Sequence, residues 1–260
     1  MSKGVVLLSG GIDSTTLLTY AVIEHGFENV VGLTLFYGQR HSKEIQSAKA
    51  VAGYYGVTHI EKDLSSVFDF SDSALLGNSS NAVPDGSYAD DVTRDADGMS
   101  KTYIPYRNGL FLSTAAAVAY SLGANVIYYG AHADDAAGNA YPDCSIDFYN
   151  AQAQAIAEGT GRKLIMEAPL ISMTKDEVVK WGLDMDTPYW LTWSCYNGKD
   201  RACGTCGTCV DRRLAFLRND TKDPISYASG FPNTEGVRKQ LVEIGLDPED
   251  WIGWQTHSND

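Results

Sequence analysis

Four apolar residues, Val5-Val6-Leu7-Leu8, run straight into Ser9-Gly10-Gly11-Ile12-Asp13-Ser14, and that turn runs straight into a helix-like stretch carrying Thr15, Thr16, Leu17, Leu18, Ala21 and Val22. A strand leading into a helix is one unit of a strand–helix alternation, which argues for a parallel sheet with helices on its faces. The turn adds chemistry. Glycines let the chain bend with its N–H groups pointing inward, and a helix start carries partial positive charge, so the segment is built to hold phosphate. Ser9, Ser14 and Thr15 offer hydroxyl donors, and Asp13 is suited to holding Mg²⁺ between phosphates. The stretch is neither GxxxxGK[ST] nor GxGxxG. The competing reading is a strand-to-helix turn that needed two glycines.

The rest of the first half keeps alternating. Val30 to Phe36 reads as a strand, and a helix is expected over about Lys43 to Tyr55, where Ile45, Ala48, Ala52 and Tyr55 have helical spacing and Ser42 is a plausible N-cap. Ser71 to Lys101 is polar, rich in Asp, Ser and Gly and without either period, which predicts a lid or mobile loop. Gly109 to Ala131 carries no charge, yet Leu110 to Leu122 with Gly123 after it reads as a buried helix, and Val126 to Gly130 as a buried strand, so no membrane span is expected. A helix from about Asp147 to Ala157, a strand near Leu164 to Glu167 and a helix from about Lys175 to Trp181 follow. The alternation defines an α/β domain with a parallel sheet. A basic helix start at Asp211-Arg212-Arg213 and a helix over Glu235 to Ile244 close the chain.

Four of five cysteines form Cys195-x7-Cys203-Gly204-Thr205-Cys206-Gly207-Thr208-Cys209. Such spacing favours a tetrahedral Cys₄ zinc site over an iron–sulfur cluster, whose x3-C-P continuation is missing, and over disulfides. With every position filled by protein, the metal is structural. No signal peptide is read at the N-terminus, and clustered thiols suit a reducing compartment, so the expected location is cytoplasmic. A net charge of -13 argues against direct nucleic-acid contact and means that an anionic ligand must meet locally placed cations.

Several segments together resemble the 7-cyano-7-deazaguanine synthase family. The SGGIDS turn looks like the SGGxDS loop of the ATP pyrophosphatase superfamily. Tyr37-Gly38-Gln39-Arg40-His41 matches the family's Y-x-Q-R-H, and Arg107-Asn108 stands in its P-G-R-N. Gly130 to Asp135 followed by Tyr141-Pro142-Asp143-Cys144 resembles G-x-x-x-x-D…Y-P-D-C, Pro169-Leu170 with Lys175 and Glu177 resembles P-L-x4-K-x-E, and Thr192 to Tyr196 opens the cysteine segment as in the family. There are departures. Tyr106 replaces the glycine of P-G-R-N, Ser145 replaces an arginine after Y-P-D-C, and Asn139-Ala140 lengthens the loop before Tyr141.

The resemblance implies an adenine nucleotide alpha hydrolase-like, Rossmann-like domain over 1–190 with the 71–101 insertion, a small zinc-binding subdomain over 191–220 and a tail over 221–260. It implies an ATP-dependent ligase that turns 7-carboxy-7-deazaguanine and ammonia into the nitrile through an adenylated carboxylate and an adenylated amide. Stopping at the amide, as Tyr106 and Ser145 would motivate, or a tRNA thiolation enzyme of the same superfamily, are the alternatives, and a silent nucleotide-binding scaffold is the reading from outside enzymes. For ATP the expected residues are Leu8, Ser9, Gly10, Gly11, Ile12, Asp13, Ser14, Thr15, Thr16, Leu17 and Leu18. Phosphate charge falls to Arg40, Arg107 and Lys175, and substrate to His41, Asp134, Tyr141, Asp143 and Cys144. His41 and His132 could serve in proton transfer, although His132 is expected rather to be a satisfied structural histidine. Cofactors are one structural Zn²⁺ and Mg²⁺ with ATP; the expected assembly is a homodimer.

Overall fold

The computed structural model of the chain describes residues 2–40, 43–83, 85–86, 100–136, 140–197 and 200–252. Val5 and Val6 are both fully buried, as a strand covered on both faces requires. Strand β1 (Gly4–Leu7) leads through the glycine turn into helix α1 (Ile12–His25), followed by β2 (Val30–Phe36), α2 (Lys43–Tyr55) and β3 (Thr58–Asp63). After a long connection come α3 (Arg107–Ser121), β4 (Val126–Tyr128), the single turn α4 (Ala133–Ala136), α5 (Ile146–Gly159), β5 (Ile165–Glu167) and α6 (Lys175–Asp184). The chain ends in α7 (Gly207–Arg218), α8 (Glu235–Glu243) and α9 (Pro248–Trp251). Among the described residues no helix is long and apolar enough to cross a membrane.

All strand pairs are parallel, in the order β3-β2-β1-β4-β5. The winding reverses between β1 and β4, and an open sheet leaves a crevice at the carboxyl ends of two strands that diverge this way. One apolar core, with Leu33, Leu112, Ile127 and Leu164, lies on one face, and a second, with Leu17, Leu18, Val51 and Val178, on the other.

Expected and observed elements diverge in three places. The sequence reading leaves Thr58–Asp63 unassigned, but it forms β3 with a six-residue ladder to β2. It is an edge strand whose side chains are half-buried or exposed, so Thr-His-Ile-Glu-Lys-Asp carries too little apolar periodicity to announce itself. The polar stretch expected as a lid begins as packed structure: Leu75 and Leu76 join Tyr37, Phe68 and Ile104 in a satellite core. Residues 87–99 of that stretch lie outside the described residues, as does the Ser42 cap. Finally, Asp211-Arg212-Arg213 is no helix start, because α7 begins at Gly207 and both arginines are buried.

The tail is integral. Val237 and Leu241 of α8 and Phe231 cover Val210 and Leu214 of α7, and Ala202 exchanges backbone hydrogen bonds with Ser226 and Ala228.

Candidate active site

A cavity of about 250 Å³ opens where the topology predicts, with Leu8 and Ser9 after β1 on one side and Tyr129, Gly130 and Ala131 after β4 on the other. The glycine turn forms its floor. Gly10 sits at φ +84, and a Cβ there would lie 2.5 Å from the Ala48 nitrogen and the Glu44 oxygen, so both the conformation and the close packing of α2 demand glycine. The first α-helical bond runs from Thr15 N–H to the Gly11 carbonyl at 3.1 Å. The Ile12, Asp13 and Ser14 amides that precede it are therefore free of helix partners and line the cavity. Ser9 and Ser14 hold the turn, with Ser9 N–H donating to Ser14 Oγ at 3.2 Å and the two hydroxyls 3.0 Å apart.

Charge at this end is arranged around Lys175. Its Nζ donates to both Asp13 oxygens at 2.7 and 2.8 Å. Burial pushes the Asp13 carboxyl up, but Lys175 and His132 outweigh that and hold it below its ordinary value. Lys175 is drawn down by burial and raised further by Asp13 and Asp135, so it stays charged. Two carboxylates fix its backbone: Asp134 accepts from the Lys175 amide at 2.7 Å and Glu177 from the Thr174 amide at 2.8 Å, satisfying donors at the head of α6. His132 is only 2% exposed, with Nε2 3.3 Å from Asp135 and 3.9 Å from Asp13. Neither ring nitrogen has a hydrogen-bond partner among the described residues, so this is no satisfied histidine.

The other end is aromatic. Tyr37, Phe111, Tyr129, Tyr141 and Tyr196 line it. The Arg107 guanidinium lies 5.2 Å from the Tyr37 ring centroid and 5.9 Å from that of Phe111. Cys144 also lines the cavity; burial pushes its thiol well up, so it is protonated, and Asn108 Nδ2 donates to its sulfur at 3.3 Å. Asp143 is buried beside it and accepts from the Asn108 amide at 2.9 Å.

The cysteine segment forms one wall. Trp193 N–H donates to the Gly10 carbonyl at 2.9 Å, and Trp193, Ser194, Tyr196, Thr208 and Asp211 all face the cavity. Behind them, the four sulfurs of Cys195, Cys203, Cys206 and Cys209 all lie within 4.8 Å of one another. Tetrahedral Zn–S bonds of about 2.3 Å place sulfurs about 3.8 Å apart, and Cys203 and Cys209 stand at 3.9 Å. Amides of Cys203, Thr205 and Cys206 point at these sulfurs at 3.2 to 3.4 Å, as donors that favour thiolate. The group can hold a metal ion.

Not every expected residue reaches the cavity. Arg40 is spent on structure, donating to the carbonyls of Leu76, Ser79 and Asn81 at 3.0, 2.7 and 2.6 Å, which corrects its assignment to phosphate. Thr16 bonds Tyr189, while Leu17 and Leu18 are core, so only the head of α1 faces ligand. Thr15 is buried with its hydroxyl unpartnered among the described residues. Asp134 is exposed and serves α6, and Asp143 lies behind the lining. His41 lies outside the described residues. Tyr106, expected beside the site, is instead exposed in a left-handed turn (φ 55) with its ring edge-on to Phe148 at 6.0 Å. Ser145 caps α5, accepting from Phe148 N–H at 3.1 Å. Sequence reasoning missed Glu44, Asp135 and Asp211 as lining residues; all three lie inside or near matched motifs, but nothing in their spacing separates them from solvated acids.

A phosphate cradle opening onto an aromatic pocket places the chain among nucleotide-dependent α/β enzymes that act on a small ring compound. Comparison with known proteins agrees. The family model described as Queuosine biosynthesis protein QueC matches residues 3–220. The chain is 44% identical over 241 residues to the 7-cyano-7-deazaguanine synthase of Archaeoglobus fulgidus, covering 92% of this chain and 96% of that one. It is 43% identical over 225 residues to that of Caldicellulosiruptor saccharolyticus, covering 86% and 95%. The chain belongs to the QueC family of 7-cyano-7-deazaguanine synthases and is an ATP-dependent ligase.

Proposed function

We propose that the chain converts 7-carboxy-7-deazaguanine and ammonia into 7-cyano-7-deazaguanine, with two molecules of ATP leaving as AMP and pyrophosphate. The observation that carries this is the continuity of the cavity, which joins a phosphate-binding helix start to an aromatic pocket fit for a flat heterocycle. A carboxylate oxygen attacks the α-phosphorus, pyrophosphate leaves, and ammonia displaces AMP to give the amide. The amide oxygen then attacks a second α-phosphorus, and loss of AMP with the amide protons leaves the nitrile. Neither hydroxide nor oxide leaves readily near neutral pH, whereas AMP does.

The chain's own residues position and neutralise, which is what phosphoryl-type transfer requires. Gly11, Ile12, Asp13 and Ser14 present amides to phosphate, with Ser9 and Ser14 hydroxyls beside them. Asp13, Asp135 and Asp211 outnumber Lys175 at this end, which suits a triphosphate carried with Mg²⁺; Asp13 would be the residue to hold the ion, and Lys175 would then be free to meet phosphate. Arg107, Tyr141 and Cys144 pack against the ring of the substrate. Zn²⁺ in the four cysteines supplies folding energy to the wall that carries Trp193 and Ser194. A thiolation chemistry would need a reactive cysteine pair, but Cys144, the one cysteine outside the cluster, is a buried neutral thiol. Tyr106 stands outside the cavity, which removes its part of the motive for stopping at the amide. The free cysteines support a cytoplasmic setting, and the family resemblance a homodimer.

The test is to incubate the purified protein with Mg-ATP, ammonium and 7-carboxy-7-deazaguanine and to follow products by mass spectrometry. Nitrile with AMP is expected. Absence of AMP from metal-loaded protein would overturn the reading.

A further inference from the structure

Six carboxyl groups stand in or beside the cavity among the described residues, and four of them have partners. Asp13 pairs with Lys175, Asp135 with His132, Asp134 caps α6, and Asp143 accepts from Asn108. Asp211 sits at the phosphate end, where Lys175 is the opposing charge it feels most. Asp211 makes no hydrogen bond or close ion pair among the described residues, but its opposing charge is at the phosphate end, whereas that of Glu44 is Arg107; that leaves Glu44 for the ring. It lines the cavity from the first turn of α2 and makes no hydrogen bond or close ion pair among the described residues.

Its position is fixed and its setting aromatic. The Glu44 carbonyl packs against Gly10 so closely that no side chain fits between them, which ties the residue rigidly to the phosphate turn. Tyr37 and Arg107 line the same cavity; burial and then Glu44 raise the Tyr37 phenol, and Arg107 partly offsets the effect of burial on Glu44. A carboxylate offers two parallel acceptors and no donor. Its complement on a flat heterocycle is a pair of adjacent N–H donors, and a 2-aminopyrimidinone edge has that pair in its ring N–H and exocyclic amine. A cavity-lining acceptor of this kind discriminates between rings, because a ring without the donor leaves it unpaired once the ligand has excluded water.

We propose that Glu44 is the specificity-determining residue that reads the N–H and 2-amino edge of the deazaguanine ring, turning the 7-carboxylate toward Lys175 and the α-phosphate. The inference rests on the substrate class proposed above and adds the residue that selects it. It replaces Asp134 and Asp143, the carboxylates that sequence reasoning offered for this edge.

The experiment compares 7-carboxy-7-deazaguanine with its analogue lacking the 2-amino group, under saturating Mg-ATP and ammonium, in the parent and in Glu44→Gln. The parent is expected to favour the amino compound by about 100-fold in kcat/KM. In Glu44→Gln the preference falls to about tenfold or less, through a raised KM for the amino compound, while the KM for Mg-ATP moves less than about twofold. Glu44→Asp, which keeps the charge on a shorter arm, recovers part of the preference and guards against a fold defect in the amide variant. An unchanged preference in both variants, with the loss confined to kcat, would overturn the assignment while leaving the ligase reading intact. A parent that forms no AMP with either compound would overturn both.

Discussion

The sheet domain and the cysteine-bearing C-terminal part are held together by different physics. In the sheet, burial does the work: residues far apart in sequence, such as Leu33, Leu112 and Leu164, meet in one apolar layer. In the C-terminal part, sulfur and charge join a smaller apolar cluster. The Arg212 guanidinium is buried and paired with Asp223 at 2.7 and 2.9 Å, and it donates to Thr192 at 2.7 Å. Its neighbour Arg213 lies 3.8 Å from the Phe231 ring centroid and 4.8 Å from that of Tyr227. The lesson is that one cleft has two walls with separate vulnerabilities, joined where Trp193 bonds Gly10.

Replacing a ligand tests that separation hardest. Cys206→Ser should abolish metal binding and destabilise the C-terminal part by more than about 5 kcal/mol, given the size of metal-coupled folding energies. Metal analysis with thermal unfolding checks it, and a variant that kept both its metal and its melting temperature would remove the distinction between the walls. Next in size, Asp223→Ala strands a buried guanidinium and should cost about 3–5 kcal/mol by denaturant titration. In the other wall, Leu33→Ala should cost about 2–5 kcal/mol through its cavity, yet leave metal content unchanged, which sharpens the contrast.

The smallest effect is electrostatic. Burial pushes the Glu44 carboxyl up to about 7. Below its ordinary range the folded and unfolded chains both hold the proton and the group is neutral in effect; as pH rises toward and through about 7 the unfolded chain ionises freely and the folded one is left with a poorly solvated carboxylate, so stability is lost. Glu44→Gln removes that loss. Its melting temperature relative to the parent should rise by about 5 °C between pH 5 and pH 8.

Much of the sheet domain could be read ahead of its structure because its strands are buried on both faces and its helices carry regular apolar spacing. Val30–Phe36 and Lys43–Tyr55 emerge at the expected bounds. Strand β3 did not, since an edge strand with a wet face can be polar. In the site, the phosphate turn is local and its chemistry is written in six consecutive residues. The aromatic end is assembled from Tyr37, Arg107, Tyr129 and Tyr196, which only the fold brings together. Arg40 shows the limit from the other side: an arginine within a matched motif is used to clasp three backbone carbonyls. Lone cations and carboxylates carry no mark of burial in sequence, and so Glu44 and Asp211 stayed hidden.

The central claim is that both activations occur by attack of substrate oxygen on the α-phosphate. It is tested most directly by running the reaction with substrate labelled by ¹⁸O at both carboxylate oxygens and weighing the AMP. The account predicts two AMP per nitrile, each carrying one ¹⁸O. Unlabelled AMP, or label released into water, would contradict it.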